Sequence, residues 1–142
     1  MSTNLRRHIA SLLLLAGFAV LAVGTMDTDT DTAIVESQAA SYRLSATELY
    51  NEYSSNEVAA DSKYQGKVVV VSGRVQSIGK DIMDNAYIVL GGGGFLDGVQ
   101  CMFTEGQESS VARLSKGQQV VIKGEVAGRI VGNVLVNKCT LQ

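Results

Sequence analysis

Histidine is almost absent from this sequence. The 142 residues contain a single histidine, His8, which lies among the first ten residues. A chain that loses this segment cannot form a Ser-His-Asp or Cys-His catalytic arrangement, nor a zinc site with histidine ligands. Most familiar hydrolase and metalloenzyme chemistry is therefore excluded, and we expect no catalytic residue, no metal site and no cofactor.

The sequence also lacks an apolar run of the length typical of a transmembrane helix. Arg6 and Arg7 precede an apolar stretch, residues 9–23, which ends among small residues. About 15 residues are fewer than the roughly 20 that cross a membrane. The pattern is typical of a secretory signal peptide. We predict a signal peptide at residues 1–24 and an exported protein of the periplasm or cell envelope, with a retained N-terminal membrane anchor as the alternative.

An excess of positive charge is missing as well. Twelve Lys and Arg stand against fourteen Asp and Glu, and removal of Arg6 and Arg7 leaves ten against fourteen, a net charge near −4. Nucleic-acid-binding proteins draw much of their affinity from neutralising phosphates and usually present a basic face. The composition therefore disfavours nucleic acid as a partner, although it leaves room for a local basic patch.

Residues 25–43 are polar or small and show no sustained apolar period, so we predict a disordered linker there. Alternating aspartates and threonines begin at Asp27. An EF-hand calcium loop starting at that aspartate needs glycine at its sixth position and glutamate at its twelfth, where the chain has Thr32 and Gln38. We therefore interpret these aspartates as part of a solvated linker.

A capping box predicts the start of a helix at Ser45, because the Ser45 hydroxyl and the Glu48 carboxylate can each accept from the other's backbone N–H. The helix is expected to end before Gly66 and to pack on the rest of the domain. Its predicted apolar face consists of Leu49, Tyr53, Val58 and Ala59.

Five segments have strand patterns, being rich in β-branched residues or alternating in polarity. They are residues 67–77, 86–90, 99–103, 119–128 and 133–141. Between the third and fourth, Thr104 and Gln107 form a second capping box that predicts a short helix over residues 104–114. This order predicts a mainly β domain over residues 44–142: a five-stranded OB-fold barrel with a short helix between strands three and four and an additional N-terminal helix.

Several segments resemble the tRNA_anti-like OB-fold family of bacterial exported proteins and lipoproteins. They are residues 56–67, 72–75, 98–103, 114–124 and 133–139. The resemblance extends from about residue 44 to the C-terminus. Many members of the family look lipidated at a cysteine that ends the signal, but this chain has Thr25 there. With no lipobox cysteine, lipid anchoring is not expected.

The two cysteines, Cys101 and Cys139, are 38 positions apart, which is not the spacing of a Cys-x-x-Cys redox centre. In an exported chain such a pair is typically a structural disulfide. The OB topology that the resemblance implies places the fifth strand parallel to the third, so that these two cysteines become neighbours. We predict that a disulfide joins them.

OB barrels commonly bind ligands on the face of strands two and three, between the loop that joins strands one and two and the loop that joins strands four and five. Here those loops are residues 78–85 and 128–132. The candidate ligand-binding residues are the basic and aromatic side chains near this face: Arg74, Lys80, Tyr87, Phe95 and Arg129. Phe103 is expected in the core. Acidic residues near Arg74 and Lys80 partly neutralise their charge, which favours a solvated surface over a row of phosphate-binding cations.

The sequence favours a noncatalytic binding module whose partner is a small molecule, a glycan, a peptide or a protein. An enzyme would rest on three loop aspartates whose spacing fixes no mutual distance: Asp81, Asp84 and Asp97. One alternative is single-stranded nucleic-acid binding, with three cations on the phosphates and Tyr87 stacked on a base. Another is an envelope module that presents its N-terminal helix or a strand edge to a protein. Membrane contact is expected only if the N-terminal segment is retained.

Overall fold

The structure, a computed structural model, describes residues 28–95 and 97–142. The predicted signal peptide, residues 1–24, lies outside the described residues. In chain order the elements are α1 (Thr28–Ser37), β1 (Tyr42–Ser45), α2 (Ala46–Ser55), α3 (Glu57–Tyr64), β2 (Val68–Lys80), β3 (Ala86–Gly91), β4 (Gly98–Phe103), α4 (Glu108–Val111), β5 (Gln119–Ile130) and β6 (Asn133–Leu141). Across the described part of the chain, no helix is long and apolar enough to cross a membrane.

The six strands form one sheet that closes on itself, in the order β1-β2-β3-β4-β6-β5 with β5 pairing back onto β2. The long strand β2 makes this closure, because its first half pairs with β5 and its second half with β3. β4 and β6 run parallel. The predicted five-stranded OB barrel, β2 to β6, is confirmed. The sequence did not predict the short strand β1, which pairs in parallel with β2.

The barrel core follows from the alternation of side chains along each strand. On β4, Val99, Cys101 and Phe103 are buried, whereas Gln100 and Met102 between them are half-buried on the outer face. Phe103 is only 3% exposed, so its predicted place in the core is confirmed. The outer positions of β4 and its neighbours are thus left to form a surface.

The two cysteines lie on neighbouring strands and are both fully buried. The register pairs Cys101 with Val136 and Phe103 with Cys139. Burial and the adjacent Cys101 thiol raise the pKa of the Cys139 thiol. In the structure both are free thiols. The predicted disulfide is therefore not present in it and stays a prediction about the oxidised protein.

The N-terminal helix differs from its prediction, because it is two helices separated at Asn56. The capping box at Ser45 is present. Asn56 has an extended backbone, and its Oδ1 accepts from the backbone N–H of Ala59 at 3.1 Å, which starts α3. The break rotates the apolar face, so that Val58 and Ala59 are exposed while Ala60 and Tyr64 are buried.

The second predicted capping box, at Thr104 and Gln107, is wrong. The backbone N–H of Gln107 instead donates to the carbonyl of Thr104, forming a turn. Gly106 has a φ of +88°, a conformation that a helix cannot contain. The helix between the third and fourth barrel strands is therefore shorter than predicted and spans Glu108–Val111 without a side-chain cap.

The expected disordered linker, residues 25–43, also differs from the structure, which places α1 and the start of β1 within it. α1 lies against β5 and β6. Its Val35 side chain is buried, and the ammonium of Lys123 on β5 donates to the Glu36 carbonyl at 2.6 Å. The sequence of α1 is too polar to show the apolar period of a helix. The helix is instead held by a few contacts with the barrel.

A candidate ligand-binding groove on β4 and β6

An open groove of about 660 Å³ runs along the outer face of β4 and β6. We call it the β4–β6 groove. At one end lies the β2–β3 loop, residues 81–85, and at the other the β5–β6 turn, residues 130–133. These are the two connections that commonly flank the ligand-binding face of OB barrels. The groove is therefore the strongest candidate for a functional site.

The groove is lined mainly by neutral side chains. Its carboxamides come from the loop and from outer positions of both strands: Asn85, Gln100, Asn133 and Asn137. Its apolar surface consists of Met83, Met102, Phe103, Ile130 and Leu135. The remaining lining residues are Asp81, Glu105, Lys138 and Thr104. Apolar surface with a few placed polar groups is typical of ligand sites.

Two carboxamides in the groove are held in place by hydrogen bonds. Asn133 Oδ1 accepts from the backbone N–H of Gly98 at 2.9 Å, and its Nδ2 donates to Gln100 Oε1 at 3.3 Å. Gln100 Nε2 donates to the sulfur of Met102 at 3.3 Å. A thioether is a weak acceptor, so this amide N–H can exchange it for a better one on a ligand.

The β2–β3 loop is organised by Asp81. Its Oδ1 accepts from the backbone N–H groups of Met83 and Asn85 at 2.8 and 2.9 Å, and its Oδ2 accepts from Asn85 Nδ2 at 3.1 Å. The hydrogen bonds from Asn85 lower the pKa of the Asp81 carboxyl. Asp81 therefore stays ionised and fixes the loop at its end of the groove.

Three residues other than glycine have positive φ in the described part of the chain, and all three border the groove. They are Asp84 in the β2–β3 loop, Val131 in the β5–β6 turn and Lys138 in β6, with φ of 68°, 41° and 54°. Aspartate tolerates this conformation, but a β-branched residue such as Val131 rarely adopts it. Strained backbone costs about 1–3 kcal/mol per residue and clusters at functional sites.

The groove carries little positive charge. Of the ten lysines and arginines from residue 28 onward, only Lys138 lines it. The Lys138 ammonium lies 3.4 Å from the carboxylate of Glu125, which offsets its charge. Two carboxylates, Asp81 and Glu105, make the end of the groove at the β2–β3 loop negative.

Two of the predicted cations are not among the residues that line the groove. Arg74, on β2, is exposed and donates to the carbonyl of Gly117 at 3.0 Å. Lys80 pairs with Asp84 at 2.9 Å, and this carboxylate raises the pKa of the Lys80 ammonium. Arg74 thus stabilises the connection before β5, and Lys80 stabilises the β2–β3 loop.

The third predicted cation, Arg129, packs against α2. Its Nη1 donates to the Tyr53 carbonyl at 3.4 Å, and its guanidinium carbon lies 5.8 Å from the centre of the Tyr50 ring. These contacts give Arg129 a place between the helix and β5. They do not bring it together with Arg74 or Lys80.

The two predicted aromatic residues also lie outside the lining of the groove as described. The ring of Tyr87 packs over Gly79 and stands beside the groove, since Tyr87 pairs with Met102. Phe95 is 90% exposed in the β3–β4 loop, where its carbonyl accepts from Gln76 Nε2. Tyr87 therefore borders the candidate site, whereas Phe95 belongs to another loop.

Sequence reasoning missed the side chains that form the floor of the groove. Gln100 and Met102 alternate with buried residues on β4, and Leu135 and Asn137 do the same on β6. This period-two signal was present, but the prediction placed the site on the second and third barrel strands. The groove instead spans the third and fifth, β4 and β6.

Each of the three loop aspartates that an enzyme would need makes a contact that holds the fold. Asp81 organises its own loop, Asp84 pairs with Lys80, and Asp97 Oδ2 accepts from the Tyr50 hydroxyl at 3.0 Å. Over residues 28–95 and 97–142, no group of three His, Cys, Asp or Glu side chains could hold a metal ion. The groove is suited to binding through hydrogen bonds and apolar contact.

Comparisons with known proteins agree on the fold. The family model of tRNA_anti-like proteins matches residues 4–140. A solved Klebsiella pneumoniae structure, described as a "putative nucleic acid-binding lipoprotein", is 21% identical, with a TM-score of 0.59 over 79% of this chain and 97% of that one.

Two further structures are less similar. An OBody bound to hen egg-white lysozyme is 24% identical, with a TM-score of 0.42 over 56% of this chain and 84% of that one. A Leishmania major structure, described as a "putative aspartyl-tRNA synthetase", is 18% identical, with a TM-score of 0.47 over 74% of this chain and 21% of that one. No curated protein matches the chain.

Proposed function

The chain belongs to the tRNA_anti-like family, and from that premise we propose that it is a noncatalytic, exported OB-fold module that binds its ligand in the β4–β6 groove. A shared fold does not fix a ligand, so the proposal rests on the site itself. The carrying observation is the coincidence of an open, amide-lined groove with the two connections that flank OB ligand sites.

Backbone strain around the groove supports a binding role. Val131 is 96% exposed and has a positive φ, which the two-residue turn between Ile130 and Asn133 requires of its central residues. A glycine at this position would relieve the strain. Retaining valine there is consistent with a side chain that contacts a partner.

The absence of catalysis in this proposal rests on the loop aspartates. Asp81, Asp84 and Asp97 each serve a structural hydrogen bond or ion pair. These contacts give each of the three carboxylates a structural partner, which supports a role in holding the loops.

Export is supported by the signal-like N-terminal segment, residues 1–24. The similar Klebsiella protein is described as a lipoprotein, whereas this chain has Thr25 where a lipid-bearing cysteine would lie. We expect N-terminal sequencing of the protein from fractionated cells to find a new terminus close to residue 25 in the envelope or periplasmic fraction. An intact terminus would favour the membrane-anchored alternative.

Nucleic-acid binding is the second candidate, favoured by the description of the Klebsiella protein. It would have to use Arg74, Lys80 and Arg129 with Tyr87, which the described contacts keep apart. Binding to phosphates weakens steeply as salt rises. We expect no binding of oligothymidylate even at low salt; salt-sensitive binding would favour this alternative.

Site-specific photo-cross-linking in the exporting cells tests the groove. A photoreactive amino acid replaces Leu135 in the groove, Val121 on the outer face of β5, or Val58 on α3, all in the full chain. Val121 is a matched control because it is an outward-facing strand residue outside the groove.

We expect cross-linked products at position 135 and none at position 121. Products at position 58 alone would contradict the groove and favour the protein-interaction module that uses its N-terminal helices. Equal labelling at all three positions would contradict a specific site.

A further inference from the structure

The two ends of the β4–β6 groove differ in charge. Asp81 and Glu105 lie at the end formed by the β2–β3 loop, whereas the end formed by the β5–β6 turn is lined by Ile130 and Asn133. The cation at the acidic end, Lys138, is already paired with Glu125. An unpaired positive charge on a ligand would therefore be attracted to one end only.

Exposed apolar side chains stand on both connections that flank the groove. Ile82 and Met83 are exposed at the β2–β3 loop, and Ile130 and Val131 at the β5–β6 turn. Such groups are costly to leave in water and are typical of a surface that a partner covers. The flexible thioethers of Met83 and Met102 adapt to apolar side chains of varied shape.

The length of the groove suits a short extended chain. It follows β4 and the turn after it over the six residues from Gln100 to Glu105. At about 3.3 Å per residue, a segment of about six extended residues spans it. In such a segment alternate side chains face the same way, so apolar residues at every second position can contact the floor.

We propose that the groove binds an extended peptide segment of about six residues, with large apolar side chains at alternate positions and a lysine or arginine at the end that lies against Asp81 and Glu105. The inference rests on the proposed function and names the ligand class of the same groove. Gln100 Nε2, whose partner is the Met102 sulfur, is the donor for a peptide carbonyl.

Glycan recognition fits the same surface less well, because the one aromatic ring among the lining residues, Phe103, is buried. The half-buried ring of Tyr87 packs on Gly79 beside the groove. Nucleic acid is disfavoured by the two groove carboxylates.

Fluorescence anisotropy with the full protein purified from exporting cells tests the proposal. The probes are fluorescein-labelled hexapeptides with the sequences Leu-Ser-Leu-Ser-Lys-Lys and Lys-Lys-Ser-Leu-Ser-Leu, since the chain direction in the groove is not specified. Control peptides carry Glu in place of Lys, or Ser in place of Leu. We expect at least one lysine peptide to bind about tenfold more tightly than either control, a difference of about 1.4 kcal/mol.

Two matched variants locate the charge. Glu105→Gln removes a groove carboxylate, and Glu57→Gln removes an exposed carboxylate on α3. We expect Glu105→Gln to abolish most of the preference for lysine over glutamate peptides and Glu57→Gln to leave it unchanged. Leu135→Ser should weaken the binding of the preferred lysine peptide about tenfold.

Equal affinity for lysine and glutamate peptides, or displacement of the bound peptide by oligothymidylate, would overturn the proposal. Cross-linking at position 135 without binding of any hexapeptide would overturn the peptide inference and leave the proposed function standing. Failure of both experiments would overturn the two together.

Discussion

The outer face of β6 is covered by another part of the chain in one half and open in the other. Near its C-terminus, α1 lies against β5 and β6, and Thr140 and Lys123 are buried although both are polar. Near its N-terminus, Leu135 and Asn137 lie in the open β4–β6 groove. The chain therefore covers one half of this face itself and leaves the other half open.

The difference lies in how the polar groups are satisfied. In the covered half, Lys123 donates to the Glu36 carbonyl, so that its charge is held by the chain's own backbone. In the open half, Gln100 on the neighbouring strand β4 donates to the thioether of Met102. A surface whose donors have weak internal partners has more to gain from a ligand. The groove is therefore an unfilled half of a face that the fold otherwise covers.

The greatest change in stability is expected from the two buried cysteines, Cys101 on β4 and Cys139 on β6. A Cys101–Cys139 disulfide would close a long loop and raise the free energy of unfolding by about 3–4 kcal/mol in the chain-entropy model. Because burial raises the pKa of Cys139, the bond should form during folding and only slowly in the folded protein. Urea denaturation of oxidised and reduced protein measures the difference, with Cys139→Ala as the variant that should show none.

Mass spectrometry of the exported protein decides whether Cys101 and Cys139 are cross-linked in cells. Loss of two hydrogens relative to the reduced mass is the expected result. Two free thiols in freshly isolated protein would show that the prediction is wrong.

The next effect tests the covered half. Val35→Asp places a charge at a buried position of α1 and should cost about 2 kcal/mol of stability, mostly by detaching the helix. Ile34→Asp is the matched control, since Ile34 is 53% exposed on the same helix. Hydrogen exchange should show faster exchange near Thr140 in Val35→Asp alone. Equal effects of both substitutions would contradict the packing described for α1.

A smaller effect, of opposite sign, is expected at the rim of the open half. Val131→Gly should raise the free energy of unfolding by about 1 kcal/mol, because glycine tolerates the positive φ. The same variant should bind the lysine hexapeptides more weakly, since it removes an exposed side chain next to the groove. Thermal denaturation and anisotropy measure the two effects. A variant that loses stability would show that the backbone is not strained there.

The smallest change in stability is expected at the floor of the groove. Leu135 is half-buried and faces outward, so Leu135→Ser should lower the free energy of unfolding by less than about 1 kcal/mol. Its large effect should appear in ligand binding alone. A loss of stability comparable to that of a core substitution would mean that Leu135 supports the barrel and not a ligand.

Much of the barrel could be predicted from the sequence, because its strands carry a strong local signal. Alternation in residues 119–128 and the valines of residues 67–77 each reflect one buried face. The capping box at Ser45 is similarly local. The break at Asn56 was not predictable from periodicity, since a single side chain that caps a new helix ends the old one.

The groove was predicted only at its ends. The β2–β3 loop and the β5–β6 turn were expected to flank the site. Gln100 and Leu135, which are neither basic nor aromatic, become neighbours only through the parallel pairing of β4 with β6. α1 was missed because its short, polar sequence is held by long-range contacts such as that of Lys123 with Glu36. Local pattern cannot report such contacts.

The central claim, that the β4–β6 groove is the ligand site, is tested most directly by methyl NMR. Two of the four methionines, Met83 and Met102, line the groove. Protein with labelled methionine methyl groups is titrated with the lysine hexapeptides and then with envelope extract from the producing cells, and Met102→Leu assigns one signal. We expect both the Met83 and the Met102 signals to shift when envelope extract is added. If the peptide inference holds, the lysine hexapeptides shift the same two signals. Unchanged signals while another part of the protein is occupied would contradict the claim.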